Sequence, residues 1–216
     1  HIAVGVKMDG YKEILAYSIA PTESCGIWDE LLKDLQTRGL EQVLLFVTDG
    51  LTGVENVILN NFPKADIQRC IVHLARNICF KVRVKDRSDI LGDFKEVYTA
   101  PNKNEAIIRF HDFCTKWSGK YPKVIESLNQ NQFILTFYNY PEQIRPSIYT
   151  TNLIEGINKQ IKRKTKRKEQ FPSEESLEKF LVALFEEFNI RYSRKIHKGF
   201  GLVALELTQL IEKRYQ

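Results

Sequence analysis

The sequence is poor in cysteine, in methionine and in long apolar runs. Four cysteines, Cys25, Cys70, Cys79 and Cys114, in 216 residues are too sparse for a disulfide framework, so reduced thiols are expected. No apolar run approaches the roughly 18 residues that cross a bilayer. The first residues also lack the basic, apolar and small-residue regions of a secretory leader. No membrane partner is therefore expected, and the expected compartment is the cytoplasm. Seven prolines and eleven glycines are scattered, so neither an internal repeat nor a low-complexity segment is present. The 43% hydrophobic content suffices for one core, or for one core and a helical subdomain.

The first 150 residues also lack a charge bias, with 18 Lys plus Arg against 18 Asp plus Glu, whereas residues 151–216 carry 14 against 9. The whole net charge of +5 therefore arises in the C-terminal third. Its densest part is "NKQIKRKTKRKEQ", with Lys159, Lys162, Arg163, Lys164, Lys166, Arg167 and Lys168. Such a cluster attracts polyanions through counterion release, nucleic acid above all. A solvated helix face has the same composition, and charge alone does not separate the two.

Local patterns predict the order β, β, α, β, α, β, followed by helices. Two apolar-rich runs, the first at Ile2 to Met8, flank Asp9-Gly10, a dipeptide suited to a tight hairpin. Ser24 caps an amphipathic helix that carries Ile27, Leu31, Leu32 and Leu35 and ends at Gly39. The unbroken run Val43 to Val47 reads as a strand buried on both faces. A short helix then ends at Pro63, and Ile67 to Val72 reads as another strand. From about Leu74 to Pro146 the apolar spacing is helical, as for an inserted helical subdomain. Beyond it, Thr150 and Thr151 are candidate caps of a helix striped by Leu153, Ile154, Ile157 and Ile161, and the last long amphipathic helix closes the core.

Asp49 stands just past the strand at Val43 to Val47. In open sheets with buried strands, ligands and catalytic groups collect beyond the carboxyl ends of the strands. The same Asp-Gly pair would also serve as a turn that caps the following helix. Glu155 lies off the apolar stripe of its helix, free to face a cleft or solvent. Carboxylates converging at a strand end suit hard divalent ions such as Mg²⁺ or Mn²⁺, and two such ions promote in-line phosphoryl displacement.

Two long segments, "VTDGLTGVENVILNNFPKADIQRCIVHLARN" and "IYTTNLIEGINKQIKRKTKRKEQFPSEESLEKFL", closely resemble the bacterial insertion-sequence transposases of the Mutator-like type. The resemblance extends to "VGVKMDGYKEILAYSI" and "KWSGKYP" and so covers nearly the whole chain. It implies an α/β, RNase H-like mixed sheet flanked by helices. Residues 1–73 would form the first part of that core, 74–146 an all-helical insertion and 147–216 the C-terminal helices. It also implies a DDE triad in which Asp49 is the second acid and Glu155 the third, both ligating Mg²⁺ or Mn²⁺. Cys70 and His73 match the family's Cys-x-x-His motif, and Arg69, Asn152 and Asn158 match positions around the active site.

The family's first acid lies on a first strand that would precede "HIAVGVKMDG". That strand and its Asp are therefore expected to be missing, and the chain to be a fragment of a longer protein or a decayed reading frame. Asp9 is a poor substitute, because a hairpin turn places it at the far end from a strand-terminal site.

The activity implied is metal-dependent DNA cleavage and strand transfer, with transposon ends and target DNA as partners, by a homo-oligomer on DNA. The basic segment would contact phosphates. The chain alone is expected to be inactive for want of the first Asp. The rival reading is a non-catalytic DNA-binding or regulatory remnant, and a third is a nuclease of the same fold. Cys70, His73, His111 and Cys114 have spacings that would suit a zinc site, whereas buried Cys commonly acts as a small apolar group. Trp28 and Trp117 read as packing residues, with Trp117 stacking on a flipped base as the alternative.

Overall fold

A computed structural model describes residues 1–20, 22, 24–168 and 170–216. The chain divides into two compact units, one made of His1–Leu44, Leu51–Ala65 and Thr151–Gln216, the other of Leu45–Gly50 and Asp66–Thr150. The class is mixed α and β, with helix predominating.

In the first unit β1 (Ile2–Val6) and β2 (Lys12–Tyr17) form the expected antiparallel hairpin. Asp9 sits in its turn, where Oδ1 accepts the Tyr11 N–H at 3.1 Å, and Gly10 adopts φ 88°. A side chain at Gly10 would also meet Phe200, whose Cβ lies 2.6 Å from the position a new Cβ would take. Helix α1 (Cys25–Thr37) starts at Ser24, whose side chain accepts the Ile27 N–H, and buries Leu31, Leu32 and Leu35. Helix α2 (Val54–Asn61) packs on it, and Asn61 Nδ2 donates to Asp29 at 2.8 Å.

The same unit contains α8 (Asn152–Lys166), α9 (Glu174–Tyr192) and α10 (Phe200–Tyr215). Ile14 of β2, Ile157 of α8 and Leu181, Leu184, Phe185 and Phe188 of α9 make one buried cluster. At a typical 1.5–3 kcal/mol per fully buried large apolar side chain, this cluster is what fixes the rotation of α8 about its axis.

In the second unit β3 (Leu45–Thr48) and β4 (Asp66–Arg69) pair in parallel, from Leu45↔Asp66 to Thr48↔Arg69. Helices α3 (Ile71–Lys81), α4 (Arg87–Tyr98), α5 (Lys103–Ser118), α6 (Pro122–Asn129) and α7 (Arg145–Ile148) belong to this unit, with short 3₁₀ turns between them. The helical stretch expected from Leu74 thus begins at Ile71. Gln68, fully buried, fastens β4 to the chain beyond α6. Its Nε2 donates to the Ile134 carbonyl at 2.8 Å and its Oε1 accepts the Phe137 N–H at 2.8 Å. Leucine at this position would orphan both backbone groups, so Gln68→Leu is expected to cost about 2–4 kcal/mol, read from the midpoint of urea unfolding. A loss below about 0.5 kcal/mol would show that the bracing is incidental.

Two strand assignments differ from the sequence reading. The strand expected at Val43 to Val47 pairs only from Leu45 to Thr48, placing its end next to Asp49. The strand expected at Ile67 to Val72 ends at Arg69, and Ile71, Val72 and His73 already belong to α3. The apolar run Ile71-Val72 continues the pattern of Ile67, and Cys70, which occupies the helix N-cap without a side-chain capping bond, carries no start signal. Among the described residues the strands form two separate two-stranded sheets, β1 with β2 and β3 with β4.

Candidate catalytic acids and a basic helix face

The parallel pair of the second unit positions the first candidate acid. The Cys70 N–H donates to the Thr48 carbonyl at 2.7 Å, closing the ladder at its carboxyl end, and Asp49 follows, exposed to solvent. Its carboxylate makes no hydrogen bond or ion pair among the described residues. It does not cap α2 either, because that role falls to Gly53, four residues on. The capping reading of Asp49 is thereby removed, and the turn is made by Gly50, at φ 95°.

Arg69 Nη1 donates to the Gly50 carbonyl at 3.2 Å. The guanidinium lies so close over Gly50 that a Cβ there would stand 2.2 Å from Nη1. The positive φ and the covering arginine together require glycine at this position. The Thr48 hydroxyl is buried and lacks a hydrogen-bond partner among the described residues, so the same strand end holds a further oxygen able to accept or donate. Cys70 is buried and His73 half-buried in the first turn of α3. Asp49, Arg69, Cys70 and His73 therefore all belong to the carboxyl-end region of this strand pair.

The zinc reading gains no support from the second unit. Among the described residues no three His, Cys, Asp or Glu side chains gather to hold a metal ion. The Cys114 thiol donates to Asn129 Oδ1 at 3.3 Å, and burial pushes it up to about 11, away from the thiolate that zinc takes. His111, one turn earlier, is exposed. Trp117 is buried and its Nε1 donates to Asp93 at 2.7 Å, so it is a packing residue rather than a free stacking platform.

In the first unit α8 carries the second candidate acid. With Ile157 wholly buried and Leu153 and Ile161 packed beside it, the opposite side of the helix must face outward. That side carries Glu155, Lys159, Lys162 and Lys166, spaced i, i+4, i+7 and i+11, which places them in one row. Asn152, Asn158 and Arg163 flank the row. Glu155 is half-buried, while Asn152, Asn158, Lys159, Lys162, Arg163 and Lys166 are exposed.

Lys164 falls on the other side and pairs with Glu187 of α9. That hydrogen bond holds the Glu187 carboxyl below the usual carboxylate range. Of the basic residues singled out in the sequence, Lys164 is thus committed to packing α8 on α9. Arg167 and Lys168, past the helix end, are exposed, with Lys168 Nζ 4.9 Å from the centre of the Phe180 ring.

Two further features bear on the site. Gln68, between Ile67 and Arg69, gave no chemical signal. The stretch Arg191 to Lys198 did give one, with Arg191, Arg194, Lys195, His197 and Lys198 and no acid, but the denser run at 159–168 overshadowed it.

Comparison with known proteins places these residues in context. The family described as "Transposase, Mutator family" matches residues 1–194. The transposase for insertion sequence element IS905 of Lactococcus lactis is 48% identical over 212 residues, 98% of this chain and 54% of that protein. The transposase for IS1201 of Lactobacillus helveticus is 48% identical over 84% of this chain and 49% of its own length. The transposase for ISRM3 of Rhizobium meliloti is 34% identical over 84% of this chain and 46% of its own length. The chain thus spans about half the length of these curated relatives.

Proposed function

Because the chain belongs to the Mutator family of transposases, we propose that residues 1–216 form most of the catalytic core of a DDE transposase, with Asp49 and Glu155 as two of its three acids. The complete core would be RNase H-like, with residues 74–146 as its helical insertion, and would act on transposon ends and target DNA as a homo-oligomer. The observation that best supports the reading is the outer row of α8, where an acid is followed along one face by three lysines. A catalytic carboxylate and cations for phosphates are needed side by side, and this helix carries both.

The oxygen donors of Asp49 and Glu155 fit a hard ion such as Mg²⁺ or Mn²⁺ and not a thiophilic one. The orphaned Thr48 hydroxyl adds a polar partner of the same kind. Bound by these two carboxylates, the ion would neutralise charge on the phosphate and favour ionisation of the attacking hydroxyl. The protein's own contribution is positional. Arg69, held on the Gly50 carbonyl, keeps the turn that presents the Asp49 carboxylate. Lys159, Lys162 and Lys166 grip phosphodiester oxygens, which orients the DNA without reading its sequence.

In the cleavage step water attacks phosphorus and the 3′-oxygen leaves. In strand transfer the freed 3′-hydroxyl attacks a target phosphate and a strand oxygen leaves, so no protein–DNA bond forms. Asp9, held in the hairpin turn, is not the first acid of the triad, and this chain by itself is expected to join no DNA ends.

Replacing Lys159, Lys162 and Lys166 together by glutamine is expected to reduce the slope of log affinity against log salt for duplex DNA by about 3, at roughly 0.9 for each phosphate no longer neutralised. Fluorescence anisotropy between 50 and about 200 mM salt reads this. An unchanged slope would remove α8 from the DNA interface.

A further inference from the structure

A second concentration of positive charge lies in the first unit, away from the outer row of α8. The start of β2, the end of α9 and the connection to α10 line a half-open cavity of about 420 Å³, bordered by Lys12, Arg191, Tyr192, Lys195, His197 and Lys198. Among the described residues no carboxylate lines it. Its walls are tied together by specific bonds. The Lys12 ammonium, on a residue 7% exposed, donates to the Lys195 carbonyl at 2.6 Å and stands 5.5 Å from the centre of the Tyr192 ring. The His197 N–H donates to the Gly10 carbonyl at 2.7 Å, and Phe200 and Ile196 press on Gly10.

Lys12 and Lys195 make no ion pair among the described residues. Of the nearby acids, Glu13 pairs with Lys7 at 3.3 Å, and Glu187 pairs with Lys164 and with Arg191 of the lining. Lys12 and Lys195, without an ion-pair partner among the described residues, raise each other's energy in a partly desolvated cavity, and an anion entering it relieves that cost. The titration directions agree. Burial, then Lys195, lowers the Lys12 ammonium, and burial, then Lys12, lowers the His197 imidazole.

We infer that this cavity binds a phosphate of a nucleic-acid backbone, as a contact additional to the outer row of α8. The inference rests on the reading of the protein as DNA-binding. A tetrahedral oxyanion matches several converging N–H donors, and a cavity of this size admits one phosphate with its sugar but not a duplex. The site would therefore grip a strand at one point and add no sequence preference.

The test follows the His197 ring protons of the whole chain by NMR, first with inorganic phosphate and then with a short DNA duplex. Binding is expected to raise the His197 pKa, because the anion favours the imidazolium. Lys12→Met and the exposed-site variant Lys195→Gln are each expected to weaken the phosphate response about tenfold or more, as for removal of a charged hydrogen bond. Each is also expected to lower the DNA salt slope by about 1. Lys195→Gln keeps the test open if Lys12→Met fails to fold.

The glutamine triple variant at 159, 162 and 166 should keep the full phosphate response. An His197 signal indifferent to phosphate overturns the inference. So does a phosphate response with a DNA salt slope unchanged in Lys195→Gln, which would mark a site for free phosphate alone. If the unaltered chain responds to phosphate yet binds no DNA, the DNA-binding reading itself fails, and this backbone contact with it.

Discussion

Asp49→Asn, placed in a polypeptide of this family that cuts DNA, is expected to slow strand cleavage about 10³-fold without weakening DNA binding. The substitution keeps the size of the side chain and removes its charge. A carboxylate that holds an ion at the reacting phosphate contributes several kcal/mol to the transition state, and about 4 kcal/mol corresponds to a factor of 10³. Nothing structural should offset this. The Asp49 side chain is exposed, caps no helix and makes no bond among the described residues, so the variant should fold with the stability of its parent. Single-turnover cleavage of an end-containing duplex measures the effect. Activity within tenfold of the parent would reduce Asp49 to the residue that opens the Gly50 turn.

Phe188→Ala is expected to lower the stability of the chain by about 3–5 kcal/mol, the usual range for removing a fully buried phenyl ring. Phe188 is wholly buried among Ile14, Ile157 and the other apolar residues of α9, and the cavity left behind would touch both the hairpin and α8. Against a typical total of about 5–15 kcal/mol, the loss would remove a large share of the protein's stability. Urea unfolding followed by far-ultraviolet circular dichroism tests this. A cost below about 1 kcal/mol would mean that α8 is oriented by something other than this cluster. The consequence for function is direct, since the same cluster turns Glu155 and its lysines outward.

Where local chemistry sets the structure, the sequence was enough to read it. Asp9-Gly10 announced the hairpin, Ser24 the start of α1, and the spacing of Leu153, Ile157 and Ile161 both the helix and the side of it that Glu155 avoids. Where the decision is tertiary, it was not. Ile71 and Val72 continue an apolar run, and only the hydrogen bond from the Leu74 N–H to the Cys70 carbonyl shows that a helix has begun. Strand pairing depends on partners far apart in the chain, so the division into an antiparallel pair and a parallel pair had no local signature.

The candidate sites divide in the same way. Asp49 and Glu155 were recognisable from a strand end, a helix face and a family resemblance. The separation of Lys164 from the other basic residues required Glu187 on α9, and the cationic cavity at Lys12 required residues brought together from both ends of the chain.

If Asp49 and Glu155 ligate a divalent ion as proposed, calorimetric titration with Mn²⁺ will show it. The chain, Asp49→Ala and Glu155→Ala would be compared after circular dichroism and thermal melting confirm that each is folded. Weak binding by the unaltered chain, lost in both variants, is the expected result. A folded chain that binds no ion, or whose binding survives both substitutions, would contradict it and make a non-catalytic DNA-binding protein the better description.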